Sequence, residues 1–499
     1  MGAADYTVLL IYLIALLAVG WHFHSSGRDS ADFFLAGRSI GYFPVGISVM
    51  VTTFSALNYL AFPGEVFAHG LYVLISLPVF FLAAIPIVRI WMPFFHRMKL
   101  VSVYEYFELR FDWRVRVLAS GLFICWRLFW MSAALFASAR ILSVLTGFPL
   151  TAAILTGGVI ATLYTAAGGM KAVIWTDVLQ FFVLFGGIVL GICCCAGGGN
   201  LFEIASEGGR LVPWHPFDPS YFSFDPRIRI TFWSGLLGTF VMFLSRYGAD
   251  QMVVQRYFSA RDLRSARRGL WLNGIVSVIS LGLLVVFGLA VYAHAVRNGA
   301  VPGPDAKPGA FLRATALMIH GFPAGMAGLI AAGLLAATMS SVDSGLNSCC
   351  AAYLTDFHSR FFRKRISVSR LTFAAGLTVT LLALVLIPAT ARYHSLFEVI
   401  NKFINALGSP LLAMMLLAMF SRRTTASGML WGGSLGFLGS LVISFTVHTL
   451  ALHYYSAVNL MLTLALCSVF SRFAGTEPTG ENLRWRWNNE RNGACFRRL

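Results

Sequence analysis

Three apolar stretches of this chain carry polar side chains where a membrane-length helix would otherwise be uniformly hydrocarbon. The first reads Val51-Thr52-Thr53-Phe54-Ser55-Ala56-Leu57-Asn58, followed by Pro63-Gly64. Thr, Ser and Asn running into Pro-Gly is the pattern of a discontinuous helix, whose unwound backbone frees carbonyl oxygens for a cation. The alternative is that the hydroxyls bond back to their own helix and only kink it. The second stretch reads Ala336-Ala337-Thr338-Met339-Ser340-Ser341-Val342-Asp343-Ser344, then Asn347 and Ser348. At 3.6 residues per turn, Ser340, Asp343, Ser344 and Asn347 share one face, with Ser341 at its flank. Hydroxyls beside one carboxylate make a hard-oxygen site for a small monovalent cation. An Asp inside a membrane costs roughly 2.5–3.5 kcal/mol on the insertion scale, which favours a functional reading over polar residues that merely cement helix contacts. The third is Trp175-Thr176-Asp177-Val178-Leu179-Gln180. Asp177 is either a cation ligand or an interfacial residue suited to a helix N-terminus.

Positive charges also fall inside apolar stretches: Arg127, Arg246 and Lys402. Each either snorkels or pairs with a buried acid, or holds an anionic solute. No His/Glu metal motif, nucleophile elbow or phosphate loop is present, so the chain does not read as an enzyme. A channel or sensor is a remote alternative to a transporter.

These groups need a scaffold, and composition names it. Of 499 residues, 58% are hydrophobic and 12% charged. A soluble chain could not hide that much apolar surface. The reading is an all-α membrane protein, since a barrel would show short alternating segments. At about 20 apolar residues per crossing, about thirteen spans are expected, with cores near 6–24, 42–68, 71–93, 116–145, 150–166, 173–196, 229–252, 270–296, 324–354, 369–391, 395–420, 425–447 and 452–471. The first stretch has no basic segment before it and reads as a span, not a cleaved signal. The eight cysteines lack metal-site spacing and read as small buried apolar residues.

The net charge of +17 does not imply nucleic acid, because the basic residues sit in short loops between spans. With the N-terminus outside, inner loops hold Arg97, Lys99, Arg110, Arg114 and Arg116; then Arg256, Arg261, Arg264, Arg267 and Arg268; then Arg360, Arg363, Lys364, Arg365 and Arg370; then Arg422 and Arg423. That one-sided bias is the positive-inside rule. It predicts a multi-pass protein of the plasma (inner) membrane with a cytoplasmic C-terminus. Its partners are the bilayer, an ion and a small solute.

Six segments resemble the sodium/solute symporter family, which includes sodium–glucose, iodide, proline, monocarboxylate and sialic acid transporters. They are Phe33-Phe34-Leu35-Ala36-Gly37-Arg38, Phe62-Pro63-Gly64-Glu65, Gly168-Gly169-Met170-Lys171-Ala172-Val173-Ile174-Trp175-Thr176-Asp177, Asp250-Gln251-Met252-Val253-Val254-Gln255-Arg256-Tyr257, Ser340 to Asn347, and Gly408-Ser409-Pro410-Leu411. The resemblance implies a leucine-transporter-type inverted repeat of five plus five helices. Here residues 1–41 would be an extra N-terminal helix and inner loop, 42–196 the first repeat, 197–228 an outer loop, 229–420 the second repeat, 421–473 two additional helices and 474–499 a cytoplasmic tail. It also implies Na+ as the co-transported ion and symport by alternating access.

By position, the resemblance places a first sodium site at the carbonyls of Val51, Phe54 and Ala337 and the hydroxyls of Ser340 and Ser341. A second sodium site would use Asp177, Ser340, Asp343 and Ser344, with Asp343 replacing the usual hydroxyl and able to take a proton instead. The solute site would involve Thr53, Asn58, Arg127, Arg246 and Asn401. Arg127 matches the arginine with which sialic acid transporters hold a carboxylate. The helix Leu74 to Phe81 lacks the Glu of sugar-transporting members. A carboxylate-bearing solute is expected, with a neutral sugar or polyol as the alternative.

Overall fold

The computed structural model describes residues 2–23, 30–195, 200–211, 221–228, 231–299, 315, 322–362, 366–392, 396–447, 449–451 and 453–473. The expected tail 474–499 and most of the loop 297–323 lie outside them. Within them the chain is helical, with one isolated bridge between Ile40 and Ala260.

We number the principal helices α1 (Ala3–His22), α2 (Tyr42–Thr53), α3 (Ala56–His69) and α4 (Leu77–Met98). Next come α5 (Trp113–Thr146), α6 (Leu150–Ala166), α7 (Gly169–Cys195), α8 (Phe232–Gly248), α9 (Gln251–Phe258) and α10 (Leu263–Arg297). The last are α11 (Met326–Ala352), α12 (Val368–Arg392), α13 (Leu396–Phe420), α14 (Ala426–Thr446) and α15 (Tyr454–Phe473). Among the described residues ten helices are long and apolar enough to cross a bilayer, and the bent pair α2–α3 makes an eleventh. The expected stretches 150–166 and 229–252 correspond to the shorter helices α6 and α8.

Outward faces are apolar, as lipid requires. On α14, Trp431, Leu435, Leu438 and Val442 recur at helical spacing and are exposed. On α11 the polarity is reversed, with Ser340, Ser341, Asp343, Ser344 and Ser348 fully buried. This helix is the polar centre of the bundle, packed on α7, α5, α2 and α9. The cysteines divide: Cys195, Cys349, Cys350 and Cys467 are buried as expected, but Cys125 and Cys193 are exposed on helix surfaces.

Three breaks shape the centre. Gly169 (φ 61°, ψ −169°) separates α6 from α7. That conformation suits only glycine, and a Cβ there would lie 2.9 Å from the Phe33 ring. α2 and α3 meet at 65°. The expected span 229–252 is not one helix: α8 stops at Gly248, Ala249 leaves helical geometry, and Asp250 caps α9 by accepting the Met252 N–H at 3.0 Å. An apolar count sees the length of such a segment but not a carboxylate that competes for the backbone.

At the arginine-rich end, Arg116 bridges Glu108 (2.7 Å) and Asp356 (2.6 Å), and Arg360 also pairs with Glu108. Two arginines read as loop charges are in fact wholly buried: Arg110 and Arg256.

Candidate functional site

α2 ends because Phe54 turns extended (φ −104°, ψ 96°). Ser55 then caps α3: its Oγ accepts the Leu57 N–H at 3.2 Å, and Asn58 Oδ1 accepts the Ser55 N–H at 3.1 Å. This capping box needs the Ser-x-x-Asn spacing that the sequence carries. The unwinding turns carbonyls toward α11. Ser340 Oγ lies 3.1 Å from both the Val51 and the Ala337 carbonyl. Ser341 Oγ lies 3.4 Å from the Thr52 carbonyl and 3.2 Å from that of Ala337. Four of the five residues expected at the first cation site therefore converge, and Phe54 forms the break itself. Thr52 was not expected; its carbonyl belongs to the same unwound turn. These are neutral, hard oxygens in a dry setting, chemistry that suits a small alkali cation.

One turn away lies a charged cluster. Asp177 is fully buried, so the interfacial alternative fails. Its Oδ2 accepts from Ser48 Oγ (2.5 Å), Thr52 Oγ1 (3.4 Å) and Arg256 Nη2 (3.2 Å). Arg256 also donates to Ser48 Oγ (2.7 Å), the Met252 carbonyl (2.6 Å) and Ser344 Oγ. Asp343 faces another way: Oδ2 lies 2.7 Å from the Tyr164 hydroxyl, and Oδ1 accepts the Ser344 N–H and hydroxyl. Ser340 turns toward Val51 rather than toward Asp177. Arg256 thus pairs with Asp177, and Ser344 links that pair to Asp343. Sequence reasoning missed Ser48, Thr52, Tyr164 and Arg256 here. Ser48 and Thr52 stand four apart on α2, a spacing that could have shown them, whereas Arg256 was hidden among loop arginines.

Beside the α2–α3 break is a small cavity, with about 30 Å³ open to the centre of a water-sized sphere. Thr53, Asn58, Arg246, Tyr247 and Ser277 are its polar walls, and Phe80, Phe243 and Leu281 are apolar ones. Among the described residues Arg246 makes no hydrogen bond or ion pair. Arg127 does not line the cavity. It is buried, pairs with Asp250, and stacks 4.5 Å from the centre of the Trp126 ring, so it does not snorkel. Lys402 is buried near the Tyr455 ring. Asn401 lies on α13, and its side chain falls outside the described residues.

Comparison with known proteins matches residues 33–436 to the family described as the sodium:solute symporter family. The chain is 30% identical over 462 residues to the sodium-dependent multivitamin transporter of Oryctolagus cuniculus, covering 89% of this chain and 70% of that protein. It is 29% identical to the sodium/sialic acid symporter NanT of Aliivibrio fischeri, covering 86% of each. A solved sodium-coupled sialic acid symporter in a substrate-bound outward-open state superposes with a TM-score of 0.83 at 24% identity, covering 96% of this chain and 99% of that one. That likeness shows the fold, which is the leucine-transporter type.

Proposed function

Since the chain belongs to the sodium:solute symporter family, we propose that it couples sodium to the movement of a small organic solute by alternating access, with the first sodium held by Val51, Phe54, Ala337, Ser340 and Ser341. It is a multi-pass membrane transporter, not an enzyme. The observation that carries the site assignment is the approach of the Ser340 and Ser341 hydroxyls to carbonyls on both α2 and α11. An ion there ties the broken helix to α11 and would order Thr53 and Asn58, which line the cavity.

The second site is placed at Asp177, Asp343, Ser344 and Ser340, with Arg256 sharing its oxygens. Asp343 takes either sodium or a proton. The cavity holds the solute through Thr53, Asn58 and Arg246, with Asn401 on the neighbouring α13. Arg127 pairs with Asp250 at the α8–α9 break. The repeats are drawn at 42–196 and 229–420, flanked by 1–41, 197–228, 421–473 and 474–499. The N-terminus faces outward and the C-terminus the cytoplasm, across the plasma (inner) membrane. The clustering of Arg97 and Lys99 at the end of α4 with Arg114 and Arg116 at the start of α5 supports that orientation.

One sodium crossing ~100 mV contributes about 2.3 kcal/mol, enough for roughly 50-fold accumulation of a neutral solute. Sodium must also favour the outward-facing state over the inward one, since equal affinity for both would shift nothing. The test is purified protein in sealed vesicles with a panel of labelled solutes. Uptake beyond equilibrium under an inward sodium gradient, lost when sodium is equal on both sides, supports symport. Uptake that only equilibrates would mark a channel.

A further inference from the structure

We propose that Arg246, not Arg127, anchors the solute, and that this solute is a small monocarboxylate with a compact apolar body. The inference rests on the symport reading above and narrows it to one substrate class. The two arginines differ in what they already hold. Arg127 is paired with Asp250, donating from Nε to Oδ1 at 3.2 Å, and its guanidinium is sandwiched near Trp126 (4.5 Å) and Trp130 (5.9 Å). Asp250 already occupies the Nε–Nη2 fork, so a solute carboxylate could take that two-bond grip only by displacing it. Asp250 Oδ1 also accepts the Met252 N–H at 3.0 Å as the cap of α9. Such an exchange uncovers a buried carboxylate and unpairs a helix end, both costly.

Arg246 has no such partner among the described residues, and it lines the cavity. A buried guanidinium without a paired acid favours a counter-ion, and a carboxylate fits its planar fork with two parallel hydrogen bonds. The rest of the lining limits the solute further. Among the described lining residues there is no Asp or Glu to receive an amine, which disfavours amino acids. Asn58 Oδ1 is already engaged by the Ser55 N–H, and Thr53 returns its hydroxyl to the Val49 and Met50 carbonyls at 3.0 Å. Few free polar groups remain to match the many hydroxyls of a sugar. Phe80, Phe243 and Leu281 instead offer apolar contact. The centre of a water-sized sphere has only about 30 Å³ to move in here, which favours a small solute.

The test is thermal unfolding of the purified full chain, in sodium and in potassium, with propionate, pyruvate, lactate and benzoate beside propionamide and glucose. The acids should raise the transition temperature in sodium only, and propionamide and glucose should not. Arg246→Gln should weaken the acid response by about tenfold or more while keeping the shift caused by sodium alone, which shows that the variant is folded. Arg246→Lys should keep a weakened response, and Arg127→Lys should keep the response itself. The proposal is overturned if no acid acts, if glucose acts instead, or if Arg127→Lys abolishes the acid shift while Arg246→Gln does not. Absence of any sodium effect on the unmodified protein would sink the symport reading instead.

Discussion

Arg256 Nη2 and Asp177 Oδ2 lie 3.2 Å apart with both side chains wholly buried. The pair joins α9 to α7, and through Ser48 and Ser344 to α2 and α11. At the other end of α9, Asp250 pairs with Arg127 on α5. Between them Gln251 bonds the backbone of Val101 and Val103 at 2.8 Å, and Gln255 bonds the Phe34 carbonyl at 2.7 Å. All eight residues of α9 are buried. Polar contacts thus fix both ends of this helix, while Met252, Val253, Val254 and Phe258 pack into the apolar core.

Removing one member of the Arg256–Asp177 pair leaves a buried charge uncompensated, which costs roughly 3–5 kcal/mol. Arg256→Ala and Asp177→Asn should each lower the unfolding temperature strongly. Arg256→Met with Asp177→Leu should recover part of the loss. Equal additivity of the two single losses in a double-mutant cycle would contradict a direct pair.

Ser341→Ala and Ser340→Ala each remove one hydroxyl from the first cation site. A hydrogen bond or ligand contact to a charge contributes about 1.5–3 kcal/mol, so the sodium concentration for half-maximal uptake should rise at least about tenfold. The maximal rate at saturating sodium should change much less. An unchanged sodium dependence in both variants would remove these hydroxyls from the site.

Gly46 faces Gly269 where α2 crosses α10. A Cβ at Gly46 would lie 2.7 Å from the Gly269 carbonyl oxygen and 3.1 Å from Leu272. Backbone cannot yield as a side chain can, so Gly46→Ala should push α2 from α10 and cost about 1–3 kcal/mol. The broken helix should lose alignment, seen as a lower transition temperature together with a weaker response to sodium.

Glu108 lies outside the spans. Burial pushes its carboxyl up, but the Arg116 and Arg360 guanidiniums outweigh this and hold it below its ordinary 4.5. A carboxyl depressed by folding contributes stability above its unfolded value and loses it as pH falls through the folded one. Acidification below about 4.5 should therefore loosen this network. Burial holds the neighbouring Glu105 above its ordinary value, and its contribution runs oppositely, lost as pH rises. Unfolding curves of Glu108→Gln against pH should show a smaller acid-side loss than the unmodified chain.

Much of this arrangement was readable in the sequence, and the reasons differ by residue. Ser340, Ser341 and the Val51 turn were legible because a membrane makes every polar residue expensive, so their presence alone is a signal. Asp177 and Asp343 were legible as charges, but their partners were not. Helical periodicity assigns a face, and it does not say that Tyr164 on α6 meets Asp343 or that Arg256 folds back into the bundle. The α8–α9 break escaped because a count of apolar length carried the span to 252, past Arg246, Gly248 and Asp250. Arg127 and Arg246 looked alike as intramembrane cations. Only the cavity and the Asp250 pairing separate them.

The central claim is a sodium site built from α2 and α11, and it is tested most directly by equilibrium binding of radiolabelled sodium to the purified protein, without solute. The account predicts saturable binding that potassium does not displace and that loses at least one bound sodium per chain in Ser340→Ala with Ser341→Ala. An unchanged number and affinity of bound sodium ions in that double variant, or no binding in the unmodified protein, would contradict it.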